Sequence, residues 1–121
     1  MSNHWSLDIG VGENVATLEL KGSVYVGTAR EIRDRLVKEV ESGRDIVLRL
    51  TDVGRFDAAG VQLVLALESH VSREGRRLSI VADGLAARVL KTSGAIGHLD
   101  VRNAADAPHD DSTVERNENR S

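Results

Sequence analysis

Asp52-Val-Gly-Arg-Phe-Asp57-Ala-Ala-Gly60-Val-Gln-Leu-Val-Leu-Ala-Leu67 is the stretch on which the fold turns. Before it, Ile46-Val-Leu-Arg-Leu50 is aliphatic at nearly every position, which predicts a strand covered on both faces and ending near Leu50. A short loop then leads to a helix that opens on Asp57, whose side chain is an acceptor suited to an N-cap. Phe56 and Val61 occupy the N′ and N4 positions, where a hydrophobic staple forms. Val61, Val64, Leu65 and Leu67 supply the buried stripe, and Gly75 ends the helix. Two alanines and a glycine in the first turn leave the helix entrance without bulk. That entrance reads either as ordinary capping or as a place where another chain approaches closely.

Two more helices flank this one. Thr28-Ala-Arg-Glu31 has the form of a capping box, and Ala29, Ile32, Leu36 and Val40 follow at helical spacing until Gly43. Asp83 opens a third helix through Leu85, Ala86, Val89 and Leu90, which stops at Gly94. Strands fill the gaps. Val15 to Leu20 alternates, as does Leu78 to Ala82, while Trp5 to Ile9 is a weaker first strand. Gly10-Val-Gly12-Glu-Asn14 reads as the hairpin turn between the first two, and Leu99 to Val101 as a short last strand. Strand and helix then alternate, so the expectation is a single α/β domain. Its sheet is mixed, mostly parallel and four- or five-stranded, with three helices packed on it.

The composition changes near Val101. From Arg102 to Ser121 the only large aliphatic residue is Val114, and Arg102, Arg116 and Arg120 face five carboxylates. Such a stretch buries too little to offset about 1–2 kcal/mol of backbone ordering per residue. Residues 1–101 are expected to form the domain and 102–121 a disordered polar tail. The formal charge is −3 and the basic residues are scattered, so no nucleic-acid footprint is visible. No segment approaches the roughly 18–20 apolar residues of a membrane span, and Met1 to Ser6 shows no basic region followed by an apolar stretch, so no signal peptide is visible there. A cytoplasmic location without membrane insertion is the expectation.

The sequence holds no convergent set of catalytic groups. There is no cysteine, and no two of His4, His70, His98 and His109 stand at metal-ligand spacing on a helix. Neither a nucleophile elbow nor a Walker loop occurs. Gly10-Val-Gly12 is a turn, and Arg73, Arg76 and Arg77 mark a solvated helix-to-strand turn. No catalytic residue, metal ligand or cofactor is expected, and the chain reads as non-enzymatic.

Several segments together resemble the STAS (anti-sigma-factor antagonist) family. Asp57-Ala58-Ala59-Gly60-Val61 is similar to the family signature of an acidic residue, two small residues, glycine and leucine. Leu20-Lys-Gly22-Ser-Val24, Asp45 to Leu50, Gly75 to Val81 and Leu85 to Gly94 match in order and spacing, so the resemblance covers about residues 12–101. It implies a protein-interaction module of bacterial regulatory signalling. In antagonists of this family, the hydroxyl after the acidic residue is phosphorylated by the partner kinase, and phosphate there blocks binding. Here that position is Ala58 and the next is Ala59, so the expected phosphoacceptor is absent. Tyr25 stands where these antagonists often carry an acidic residue.

The resemblance places the partner-binding face on Ser23, Val24, Tyr25 and Thr28 in one loop. Phe56, Asp57, Ala58, Ala59, Gly60, Gln62 and Leu63 complete it at the other turn. Thr28 is explained by its capping box. Tyr25 reads either as a ring partly buried over the sheet edge or as an exposed interface anchor. The implied partner is a sensor-kinase-type anti-sigma factor or a chemotaxis-like signalling protein. Alternatives are an accessory subunit of a lipid or anion transporter, or a domain sensing a small anion or nucleotide at Ala58–Gly60. Oligomeric state stays open.

Overall fold

A computed structural model describes residues 4–41, 43–94 and 99–104. Five strands and three helices alternate as expected. They are β1 (Trp5–Val11), β2 (Val15–Val24), α1 (Ala29–Val40), β3 (Asp45–Phe56), α2 (Ala58–Arg73), β4 (Leu78–Ala82), α3 (Gly84–Thr92) and β5 (Asp100–Asn103). The sheet order is β1-β2-β3-β4-β5, with β1 antiparallel to β2 and every other pair parallel. Consecutive parallel strands joined by crossovers of one hand put all the helices on one side.

Burial follows from this. Leu18, Leu20, Ile46, Leu48, Leu50 and Ile80 point under the helices and are essentially inaccessible. Ile32, Leu36, Val40, Val64, Val71 and Leu90 meet them from above. The opposite face is polar and partly exposed. There Thr17, Glu19, Val47, Arg49 and Thr51 alternate with the buried set, and the Thr51 hydroxyl donates to Glu19 at 3.5 Å. The expectation that β3 is covered on both faces is therefore corrected. Its aliphatic character reflects one deeply buried face plus the half-buried flank of a central strand.

The larger correction concerns the loop expected between Leu50 and Asp57. Thr51 to Phe56 continue as strand, and β2 likewise runs on to Val24. The two extensions pair with each other, Lys21 with Asp52, Gly22 with Val53, Ser23 with Arg55 and Val24 with Phe56. Register shifts at Glu19/Lys21 and Gly22/Ser23 absorb the mismatch. Bulges of this kind break the two-residue period that marks a strand in sequence, which is why the extensions were hidden.

The helix stops hold: Gly43, Gly75 and Gly94 all have positive φ. The starts are less uniform. Asp57 accepts from the Ala59 amide at 2.9 Å, whereas neither Thr28 nor Asp83 caps its helix with a side chain. The capping box at Thr28–Glu31 is thus not formed. Thr28 sits at φ −117°, ψ −11°, outside the extended geometry that aims a cap oxygen at the helix amides. Glu31 instead accepts from the Trp5 indole at 3.4 Å. At the far end β5 runs through Asn103, two residues past the composition break, and the rest of the expected tail from residue 105 onward lies outside the described residues.

Candidate functional site

The extended ends of β2 and β3 carry the β2–α1 loop and the amino end of α2 to the same edge of the domain. Within the loop, Thr28 is 2% exposed, the sole buried polar residue among those described. Its hydroxyl donates to the Ser23 carbonyl at 2.8 Å and accepts from the Tyr25 amide at 3.2 Å. The Tyr25 carbonyl in turn accepts from the amides of Thr28 and Ala29, at 3.0 and 2.9 Å. A buried hydroxyl needs partners, and these come from behind it in the chain rather than ahead. The result is a tight, internally bonded turn.

Tyr25 completes that turn from outside. Its ring packs so closely on Gly27 that a Cβ there would meet ring atoms at 2.7 Å. The guanidinium of Arg55 lies 3.7 Å from the ring centre on the β3 side. The ring is partly exposed: it lies over the sheet edge and remains reachable from solvent. At the tip of the loop, Val26 is 79% exposed. An isolated aliphatic side chain on a braced loop is the residue that sequence reasoning passed over. Its neighbours are loop-like in sequence, and no periodicity flags it.

Beside the loop stands the start of α2. Ala58 is exposed and Ala59 partly exposed, while Gly60 is buried. The Phe56 ring lies over Gly60, where an added Cβ would come within 2.7 Å of it. Phe56 and Val61 both enter the core, 5% and 6% exposed. The amides of Ala59, Gly60 and Val61 are all committed to Asp57, through its carboxylate or its carbonyl. A carboxylate therefore already occupies this helix end, which disfavours a further anion there.

The predicted contact residues accordingly separate into two sets. Ser23, Tyr25, Asp57, Ala58, Ala59 and Gln62 reach the surface at least in part. Val24, Thr28, Phe56, Gly60 and Leu63 are buried, so they shape the face without presenting a side chain to a partner. For Ser23, Val24 and Phe56 sequence could not tell which way each side chain faces, because the bulged pairing of β2 with β3 decides it.

Grooves lie on both sides of this helix start. One, of about 530 Å³, runs between α1 and α2 and is bounded by Val26, Ala29, Ala59 and Gln62. The other, of about 480 Å³, lies between α2 and α3, with Ala58, Gln62, Val89 and Thr92 on its walls. Small side chains at 58 and 59 leave both open. No group of three or more potential metal ligands is found among the described residues, and no helix there is long and apolar enough to cross a membrane.

Known proteins match this arrangement. The Bacillus subtilis (strain 168) anti-sigma-B factor antagonist is 25% identical over 96 residues, spanning 79% of this chain and 86% of that protein. The crystal structure of an anti-sigma factor antagonist from Mycobacterium paratuberculosis superposes with a TM-score of 0.73 at 17% identity, covering 81% of this chain and 85% of the other. The Bacillus cell fate determinant SpoIIAA in its phosphorylated form gives 0.63 at 20% identity, over 85% and 93% of the two chains. A family model described as "Mlab, STAS domain" matches residues 9–100, from β1 to the start of β5. The mixed sheet, its three helices and the Asp57–Val61 signature thus converge with these matches, and the chain belongs to the STAS domain family.

Proposed function

We propose that this chain is a non-enzymatic docking module of bacterial regulatory signalling, whose contact face is the Tyr25–Thr28 loop together with the first turn of α2. The observation that carries the reading is the uncovered Ala58 between two grooves, beside a braced loop that offers Val26 to solvent. Preorganised loops bind with less loss of freedom, and an apolar side chain fixed in place is a natural anchor. The relatives are antagonists of anti-sigma factors, which supports a regulatory protein as the partner. A sensor-kinase-type anti-sigma factor and a chemotaxis-like signalling component both fit that description.

Ala58 gives the proposal its regulatory sense. With no hydroxyl at 58 or 59, phosphate cannot be added at this turn, so the face stays in its binding-competent form. The same absence favours a second reading, a standing subunit of a transporter assembly, since a permanent subunit needs no release switch. Co-purification with a membrane ATPase distinguishes it.

The deciding experiment is Ala58→Arg. The site is exposed, so the melting temperature is expected to stay within a degree or two, an effect below roughly 0.5 kcal/mol. Capture of the crosslinked native partner is expected to be lost. Retained capture would remove the α2 entrance from the interface.

A further inference from the structure

The groove at Val26 does not end with the first turn of α2. It continues as a second hollow of about 300 Å³, and the two share Arg33, Leu63 and Ala66 on their walls. One furrow therefore follows the α1–α2 seam from the loop to Arg73. Residues at helical spacing line it: Ala29, Arg33 and Leu36 with Val37 on α1, and Ala59, Leu63, Ala66 and His70 on α2. Alanines on both helices keep the floor shallow and apolar. With α1 spanning 12 residues, the furrow is about 18 Å long, some three helical turns.

Its charge is one-sided. Arg30, Arg33 and Arg73 border it, with His70 between the last two, and no carboxylate lines either hollow. Among the described residues none of the three arginines has an ion-pair partner. The nearby Glu74 carboxylate pairs with Arg76 and only more weakly feels the charges of His70 and Arg73. This stands out in a chain of net charge −3, where acidic residues outnumber basic ones. An apolar floor walled by arginines that make no salt bridge complements an apolar stripe edged with carboxylates.

We propose that the α1–α2 furrow seats an acidic amphipathic helix of the partner protein, its apolar stripe on Val37 and Ala66 and its carboxylates against Arg33 and Arg73. The inference rests on the docking reading above and adds to it the element by which the partner binds. Val26 and Ala59 then hold the end of that helix nearest the α2 entrance, and the arginines set its direction and register.

The probe is a synthetic amphipathic peptide of about 15 residues, long enough to hold a helix, with leucines along one stripe and glutamates on both flanks. Its counterpart carries lysines in place of the glutamates. Anisotropy with the full chain is expected to show saturable binding of the glutamate peptide alone, weakened by salt. Arg33→Glu combined with Arg73→Glu changes only exposed side chains and is expected to weaken binding roughly tenfold or more while the circular dichroism melt is unchanged. No binding, equal binding of the lysine peptide, or full retention in the double variant would overturn the proposal. Partner capture separates the two ideas. Loss with Ala58→Arg but retention in the double variant leaves the docking face standing and removes the furrow. Loss in the double variant with retention in Ala58→Arg does the reverse.

Discussion

The guanidinium of Arg55 stacks 3.7 Å from the centre of the Tyr25 ring, tying the end of β3 to the loop that follows β2. Arg55 sits on the β3 extension opposite Ser23, and Tyr25 is the first residue past the end of β2. The stack therefore braces the Val26 loop from the side that its internal hydrogen bonds leave open. A cation over a partly exposed ring is worth about 0.5–1 kcal/mol. Arg55→Ala is expected to lower global stability by no more than that. It is also expected to speed hydrogen exchange at the Thr28 and Ala29 amides, which bond to the Tyr25 carbonyl. Unchanged exchange would mean the loop is held by Thr28 alone.

Gly22 marks the bulge that lets the extensions pair. Its φ is +101°, and a Cβ would lie 2.3 Å from the His4 carbonyl oxygen and 2.8 Å from the Trp5 Cα. Both obstacles are backbone, so relief requires β1 to move away. Gly22→Ala is expected to cost about 2–4 kcal/mol in urea unfolding, well beyond the ordinary surface substitution. A loss under about 0.5 kcal/mol would show that β1 yields freely.

Thr28 is enclosed and hydrogen-bonded, which makes it a poor phosphoacceptor. Incubation with ATP and a kinase that acts on a phosphorylated STAS relative is expected to leave the wild-type chain unmodified at Thr28 by mass spectrometry. Ala58→Ser is expected to gain phosphate at position 58. Separately, Thr28→Val keeps the shape but removes the hydroxyl that donates to the Ser23 carbonyl and accepts from the Tyr25 amide. An expected loss of about 1–3 kcal/mol in chemical denaturation checks this.

Two glutamates respond to pH in opposite directions. Burial, and then the nearby charge of Asp100, raise Glu68 above the ordinary 4.5, so its ionised form opposes folding at neutral pH. That penalty is relieved as pH falls through the raised value and is gone below the unfolded one. Glu68→Gln is therefore expected to melt higher than wild type at pH 7, with the difference closing toward pH 4. The hydrogen bond from Arg76 holds Glu74 below 4.5, so its contribution is present above that value and is lost as pH falls through the depressed one. Glu74→Gln is expected to melt lower at pH 7 and to match wild type in acid. Melting curves across this range with the same sign for both variants would contradict the assignment.

Periodicity and punctuation made most of the architecture legible. The stripe Ile32, Leu36, Val40 and the alternation of Leu18 and Leu20 report burial directly, because a helix repeats every 3.6 residues and a strand every two. Asp57 and the glycines at 43, 75 and 94 bound the helices through local backbone chemistry, which a neighbour in space does not alter. The signature Asp57–Val61 was equally visible. What failed was local in appearance but tertiary in origin. The hydroxyl of Thr28 has the sequence of a cap yet bonds backward to Ser23, because burial under the loop gave it nearer partners.

By itself, then, the sequence determined the order of elements, the apolar face of each and the loss of the acceptor hydroxyl at 58, since all of these are properties of residue type and spacing. Only the tertiary structure decided that β2 and β3 run on as a bulged pair, that Val26 rather than Val24 meets solvent, and that Arg30, Arg33 and Arg73 line one furrow. The reason is physical: each of these depends on contacts between residues far apart in the chain, and a bulge or a helix crossing reassigns which side of the backbone faces out.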